Sequence, residues 1–271
     1  PRLGDRPIAD IRRSEVHEIM DDLVASGRIG TAREVRKQMS RIFNWAADRE
    51  IIESNPLSGM KRTDLARNTE AGRALTDVEL RSIWKAAEDL RYPFGSLYQT
   101  LMLTGQRRAE WAFCKRSEID TENRWLDLGK ERFKSRREHI VPMSEFVWAL
   151  FETFPVWAGR NDYFVFSSKH GRVPVAGFSQ GKRALDAAAL KHLREETGDK
   201  TASLQHFRIH DLRVTCETRL ANLGFNQEVR DAVLGHARLG LQKIYNKHDY
   251  LKEKREALQA YGAHLMGIVR K

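Results

Sequence analysis

Apolar residues recur at helical spacing through most of the chain. Val16, Ile19, Met20, Leu23 and Val24 follow an i, i+3, i+4, i+7, i+8 pattern behind Ser14, read as an N-cap. Thr31 with Glu34 has the form of a capping box opening a second helix. On that helix Val35, Met39, Ile42, Phe43 and Ala46 share one face, and Arg33, Arg36, Lys37 and Arg41 the opposite one. Thr76 with Glu79 forms another box, followed by the stripe Leu80, Ile83, Trp84 and Ala87. Further helices are predicted over 95–104, through RRAEWAFC, and over 178–196, 210–223, 226–235, 239–247 and 249–268. Strand patterns are few. NRWLDLG (123–129) and EHIVPM (138–143) predict a hairpin around a basic tip, and YFVFS (163–167) one more short strand. Strands and helices do not alternate, which excludes a doubly wound parallel sheet. The expectation is a mainly α fold with a small β-hairpin or sheet, of the α+β class. GMKRTDLARNTEAGRA (59–74) has few large apolar residues and reads as a connection. It divides the chain into a helical domain at 1–60, a linker at 61–74 and a second domain at 75–271.

Charge sharpens this picture. The 271 residues carry 47 Lys and Arg against 37 Asp and Glu, a net +10. Residues 1–60 are neutral overall, so the excess lies in 61–271. Such a balance points to a polyanionic partner, most often nucleic acid. The cations of the second helix can then be read as lying along a phosphate backbone, where each neutralised phosphate releases counterions. No run approaches 18 apolar residues and the start has no apolar signal core, so no membrane partner is expected. Two cysteines, Cys114 and Cys216, fit a reducing, cytoplasmic setting rather than a disulfide scaffold. The chain does not begin with Met, and an upstream segment is expected.

Several motifs fail on context. GFSQG (177–181) matches the G-x-S-x-G nucleophile elbow around Ser179, but that elbow needs a buried strand and a parallel sheet. The same stretch misses a P-loop, with Ala176 and Arg183 at required positions, so ATP is not expected. His206 and His210 stand four apart without a suitable third ligand, so no metal and no cofactor are expected.

A constellation suited to metal-free DNA cleavage remains. Such chemistry needs a nucleophile, cations on the phosphoryl oxygens and a proton donor for the leaving group. Arginine is the natural clamp, because its fork binds two phosphate oxygens. TGQRRAEW (104–111) supplies Arg107 and Glu110, and KSRREHIVP (134–142) supplies Lys134 on the hairpin tip. HDLR (210–213) puts His210 and Arg213 on one helical face, and LGH (234–236) ends in His236. Nine residues later stands Tyr245. Singly, each has an ordinary structural reading, Tyr245 as part of an apolar stripe with Leu241 and Ile244.

In this order, these motifs make the chain resemble the tyrosine recombinase (phage integrase) family, most of all the integrases of prophages and genomic islands. The likeness covers nearly the whole chain, with PIADI and IFNWAADREIIESNP in a core-binding helical domain and 75–265 in a catalytic domain. The resemblance implies that Arg107 is the first catalytic arginine and Glu110 its supporting acid. It makes Lys134, eight residues before Pro142, the hairpin lysine. It assigns His210 and Arg213 to the H-x-x-R pair, His236 to the second histidine and Tyr245 to the nucleophile. Val214 stands where the family often has a second Arg, and the doublet Arg107-Arg108 replaces a single Arg. Tyr250 is a rival nucleophile at the wrong spacing; Lys130 and Arg136 are rivals to Lys134, and Arg136 also counts among the DNA-binding cations with Arg33, Arg36, Lys37 and Arg41.

The implied activity is site-specific recombination of double-stranded DNA at attachment sites through a 3′-phosphotyrosyl bond. A tetrameric synapse, accessory DNA-bending proteins and a missing upstream arm-binding domain are implied as well. So is a C-terminal helix that docks on a neighbouring protomer through Leu251, Leu258, Tyr261, Leu265 and Ile268. A catalytically silent DNA-binding protein of the same fold and a type IB topoisomerase are the alternatives.

Overall fold

The computed structural model describes residues 2–60, 72–132, 138–157, 159, 162–236 and 250–271. The chain divides into two compact units, Pro1–Ala71 and Gly72–Lys271. Among the described residues, no helix is long and apolar enough to cross a membrane.

The first unit pairs α1 (Arg13–Ala25) with α2 (Ile29–Asp48). Its core is Val16, Met20, Ala32, Phe43, Leu57 and Met60. Neither predicted cap is used. Helix α1 starts at Arg13, and the Arg12 N–H donates to the Glu15 carboxylate at 2.9 Å, leaving Ser14 inside the first turn. The turn that ends α1 at Gly27 closes on Val24 and Leu23, so α2 begins at Ile29 and Thr31 falls within it. Ile42, expected in the core, is 55 % exposed, because the buried stripe runs through Ala32, Phe43 and Ala46 instead.

The second unit has one continuous apolar core. The Thr76–Glu79 box forms as expected: Thr76 N–H donates to Glu79 at 2.9 Å and Glu79 N–H returns to the Thr76 hydroxyl at 3.3 Å. It opens α3 (Asp77–Leu90), which buries Leu80, Ile83, Trp84 and Ala87 and packs along α7 (Phe178–Thr197). Helix α4 (Phe94–Thr104) is followed by the short α5 (Arg108–Ala112). The sheet is antiparallel, ordered β1 (Ile119–Asp120), β2 (Trp125–Leu128), β3 (His139–Pro142). Trp125 pairs with Pro142 and Leu128 with His139, so Leu126, Leu128 and Val141 turn to the core. YFVFS forms no strand of this sheet; Phe164 makes an isolated bridge to Lys115. Helix α6 (Glu145–Glu152), capped by the Ser144 hydroxyl, has no counterpart among the predicted elements. Then come α8 (Ile209–Asn222), α9 (Gln227–Leu234) and α10 (Leu251–Val269). The predicted helix at 239–247 lies outside the described residues.

The α10 stripe corrects the docking expectation. Leu258, Tyr261, Leu265 and Ile268 are buried in the core of their own unit, against α3, α4, α9 and β3. A Cβ at Gly262 would stand 2.8 Å from the Phe146 ring, so the glycine is what lets α10 close on α6. This apolar face is spent in cis. Ser179 lies in the first turn of α7, and the sheet of this unit is antiparallel, which removes the elbow context.

Candidate active site

The site begins with the turn between α4 and α5. Helix α4 ends in Gly105 at φ +63, and a Cβ there would meet the Cys216 sulfur of α8 at 2.6 Å. Only glycine satisfies both the left-handed backbone and this approach. Arg107 follows as the N-cap of α5, with its N–H donating to Glu110 Oε2 at 2.7 Å and its Nη1 to Oε1 at 2.9 Å. Glu110 is buried. One carboxylate therefore caps α5 and fixes the rotamer of Arg107.

Arg213 is the centre of the arrangement. It is 4 % exposed, and it donates from Nη1 to Gly105 O at 3.2 Å and from Nη2 to Leu234 O at 2.5 Å. It thereby joins the turn that carries Arg107 to the end of α9. His236 lies just beyond that end. Its N–H donates to Asp231 O, and its Nδ1 stands 2.9 Å from Asp231 Oδ1, which orients the ring. Burial first, and the nearby Arg107 charge second, lower the Arg213 pKa to about 10. At neutral pH it remains a cation, held where an anion would relieve both penalties.

His210 opens toward solvent in the first turn of α8, which Asp211 caps through the Arg208 N–H at 2.8 Å. Desolvation lowers its pKa, followed by the charge of Arg213, with Arg208 and Arg107 adding to it against Asp211. The ring is thus held neutral and able to accept a proton. Arg107 and His210 border a cleft of about 720 Å³, shared with Arg108, Lys182, His206 and Arg208. Arg108 stacks over the Phe178 ring at 4.2 Å, and Lys182 pairs with Asp186 at 2.5 Å. Among the described residues, no group of three or more His, Cys, Asp or Glu is placed to hold a metal ion.

Five predicted residues, Arg107, Glu110, His210, Arg213 and His236, gather in this region from three separate stretches of chain. Lys134, Arg136 and Tyr245 lie outside the described residues. The rivals are otherwise engaged: Lys130 pairs with Glu138 at 3.4 Å, and Tyr250 packs against the core at the start of α10. On α2, Arg36 departs from its assigned role. It donates to Met60 O at 2.9 Å in a half-buried position, bordering the packed stripe rather than facing away from it. Lys37 and Arg41 are exposed, Lys37 in a loose 3.7 Å pair with Glu34 that solvent weakens, and Arg33 is half-buried.

Sequence reasoning missed the residues that hold the site together. Arg132 donates to Phe113 O at 2.5 Å and Glu110 O at 2.9 Å and pairs with Glu118 at 2.8 Å, pinning the hairpin beside α5. Buried Lys254 of α10 donates to Ile140 O of β3 at 2.6 Å. Gln106 and His139, both buried, meet at 3.1 Å. Their targets are mostly backbone carbonyls of distant segments, which leave no motif.

The family model described as "Phage integrase family" matches residues 73–252, and that for "Phage integrase central domain" matches 1–63. The chain belongs to the phage integrase family. The chain is 27 % identical to prophage integrase IntZ of Escherichia coli K12 over 263 residues, 96 % of this chain and 61 % of that protein. It is 24 % identical to prophage integrase IntA of the same strain, covering 96 % of this chain and 60 % of the relative. It therefore spans about three fifths of the length of these relatives. A lambda integrase dimer bound to a COC′ core site shares the integrase fold, at TM-score 0.62, 19 % identity, and 88 % and 86 % coverage. So does the Tn1549 transposon integrase in complex with circular intermediate DNA, at TM-score 0.60, 22 % identity, and 94 % and 87 % coverage. Both likenesses bear out the α+β fold.

Proposed function

We propose that this chain is the strand-exchange portion of a site-specific DNA recombinase, which cleaves and rejoins duplex DNA through a 3′-phosphotyrosyl intermediate. The observation that carries this reading is the buried Arg213, which joins the turn of Arg107 to the segment of His236. A structural ion pair does not need a second arginine beside it; a phosphate site does.

Free tyrosine has a pKa near 10, so about one molecule in a thousand is ionised at pH 7. Tyr245 is the nucleophile in this reading. Arg107, Arg213 and His236 bind the non-bridging oxygens of the scissile phosphate and favour the phenolate. Two of the Arg213 donors are engaged by carbonyls, and its other N–H groups serve the phosphate. His210, held neutral, takes the phenol proton. The new O–P bond forms as the bond to the 5′ oxygen breaks, and Lys134 delivers a proton to that oxygen. Attack by a 5′-hydroxyl of a partner duplex reverses these steps and releases Tyr245. One phosphodiester is exchanged for another, so the cycle is nearly isoenergetic.

Residues 1–60 act as the core-binding domain, 61–74 as linker and 75–271 as the catalytic domain. The two compact units and the two matched families support this division. The substrate is attachment-site DNA of an integrating or excising mobile element, handled in the cytoplasm on the nucleoid. A tetramer, with DNA-bending proteins, forms the synapse; a lambda integrase tetramer bound to a Holliday junction, at TM-score 0.62 and 20 % identity, supplies the precedent in the same fold.

A nicked suicide substrate prepared from the DNA of the parent mobile element tests the reading. Wild-type protein should become covalently joined to DNA, and Tyr245→Phe should abolish the adduct. An adduct that persists in Tyr245→Phe refutes the nucleophile, and binding without an adduct in wild type leaves the silent DNA-binding protein. Sequencing the trapped DNA gives the core site.

A further inference from the structure

Gln106 sits between the conformationally special Gly105 and Arg107, and it is 3 % exposed. Its amide ties its own turn to two other segments. Nε2 donates to Thr104 O at 2.9 Å and to Val233 O at 2.9 Å, while Oε1 faces His139 Nε2 of β3 at 3.1 Å. His139 is itself 5 % exposed, so the Nε2-protonated tautomer is the one that satisfies both groups.

The two carbonyls touched by Gln106 adjoin the two touched by Arg213. Arg213 spans Gly105 O and Leu234 O; Gln106 spans Thr104 O and Val233 O. The same pair of segments is therefore bridged twice, once by a cation and once by a neutral amide. A cation that must also bind a phosphate is a poor sole spacer, since the anion pulls on the same side chain that holds the carbonyls. A neutral amide has no such second task. Its third contact adds the root of the β2–β3 hairpin to the same junction.

We propose that Gln106 is a positioning residue, which sets the spacing of Arg107 and His236 around the scissile phosphate independently of Arg213. This rests on the recombinase reading above, and it deepens it. Gln106 makes no contact with the reacting atoms. A residue of this kind, when lost, misplaces charge that is needed only where negative charge develops, and a displacement of about 1 Å can cost on the order of a hundredfold in rate.

The test uses the full chain and the core-site duplex recovered from the trapped adduct. Gln106→Met keeps the volume and removes all three bonds. Gln106→Asn keeps the amide one methylene shorter, and serves should the Met variant fail to fold. Single-turnover adduct formation is measured on a normal scissile phosphate and on a methylphosphonate at the same position, whose non-bridging charge is gone. Binding affinity is measured in parallel. The expected result is affinity within about twofold of wild type, with cleavage of the normal phosphate slowed about tenfold or more. On the methylphosphonate, the gap between variant and wild type should shrink to within about threefold, because the misplaced cations then matter less. An equal deficit on both substrates, or no deficit on either, overturns the proposal while leaving the recombinase reading intact. Absence of any adduct in wild type overturns that reading instead.

Discussion

His210 illustrates how a single residue is tuned by its neighbours. Partial burial comes first and Arg213 second in disfavouring its protonated form, so its pKa lies below the ordinary histidine value of 6.5. The unfolded chain then binds more protons than the folded one just under pH 6.5, and this residue's contribution to stability falls as pH drops through that window. In the proposed mechanism, the consequence would be a general base that survives mild acid. Adduct formation at limiting DNA, followed against pH, reports groups of the free protein. Its acidic limb should fall below pH 6.5 and vanish in His210→Gln; a limb above 6.5 would remove His210 from this role. Glu110 does more than pair with Arg107: its burial and its bond to the Arg107 N–H make it the cap of α5 as well. Spacing gives the neighbour; burial decides how much the neighbour matters.

Elements are tied together here by side chain to backbone bonds, and these were the least legible part of the sequence. The Thr76–Glu79 box and the β2–β3 hairpin could be read, because their signals are local. Ser14 and Thr31 carried equally good local signals, but Glu15 reaching Arg12 and the tight turn at Gly27 overruled them. Helix α6 escaped notice because EFVWALFE is apolar on nearly every side. The stripe on α10 was visible, but a pattern of leucines does not say which chain buries it. Arg213 shows what such ties are worth. Arg213→Ala leaves two carbonyls buried without their donor and opens a cavity, at a cost of about 3 kcal/mol. Arg107→Ala removes a more exposed side chain, and Glu110 keeps its bond to the backbone, so about 1 kcal/mol is expected. In thermal unfolding of the second unit, the midpoint should fall by roughly 6–12 °C for Arg213→Ala and by roughly 2–4 °C for Arg107→Ala. Both variants should lose adduct formation. Equal midpoints would mean that Arg213 is not a structural joint.

For the whole molecule, charge and shape tell different things. The net +10 announced a polyanion but not where it lies. The cleft beside Arg107 places Arg108, Lys182 and Arg208 around its rim, whereas Arg36 is withdrawn into packing. Arg108→Ala should therefore lower DNA affinity on every sequence alike and reduce the slope of log affinity against log salt by about 1. Arg36→Ala should act on the stability of the first unit and leave that slope unchanged. A salt titration by fluorescence anisotropy separates the two, and an unchanged slope in Arg108→Ala would take this rim off the DNA path. Five of the candidate site residues could be placed because they sit on elements with strong local signals. Their convergence could not be read, because it depends on carbonyls at Thr104, Gly105, Val233 and Leu234, which any sequence would provide.

The seat of Gly105 against Cys216 carries a consequence for the thiol itself. Cys216 is fully buried, and burial pushes its pKa up to about 12, so almost none of it is thiolate at neutral pH. An alkylating reagent would have to wait for α8 to part from the arginine-bearing turn, and the adduct it left would keep that turn from reseating. Alkylation at this sulfur would therefore record how often α8 parts from the turn that carries Arg107.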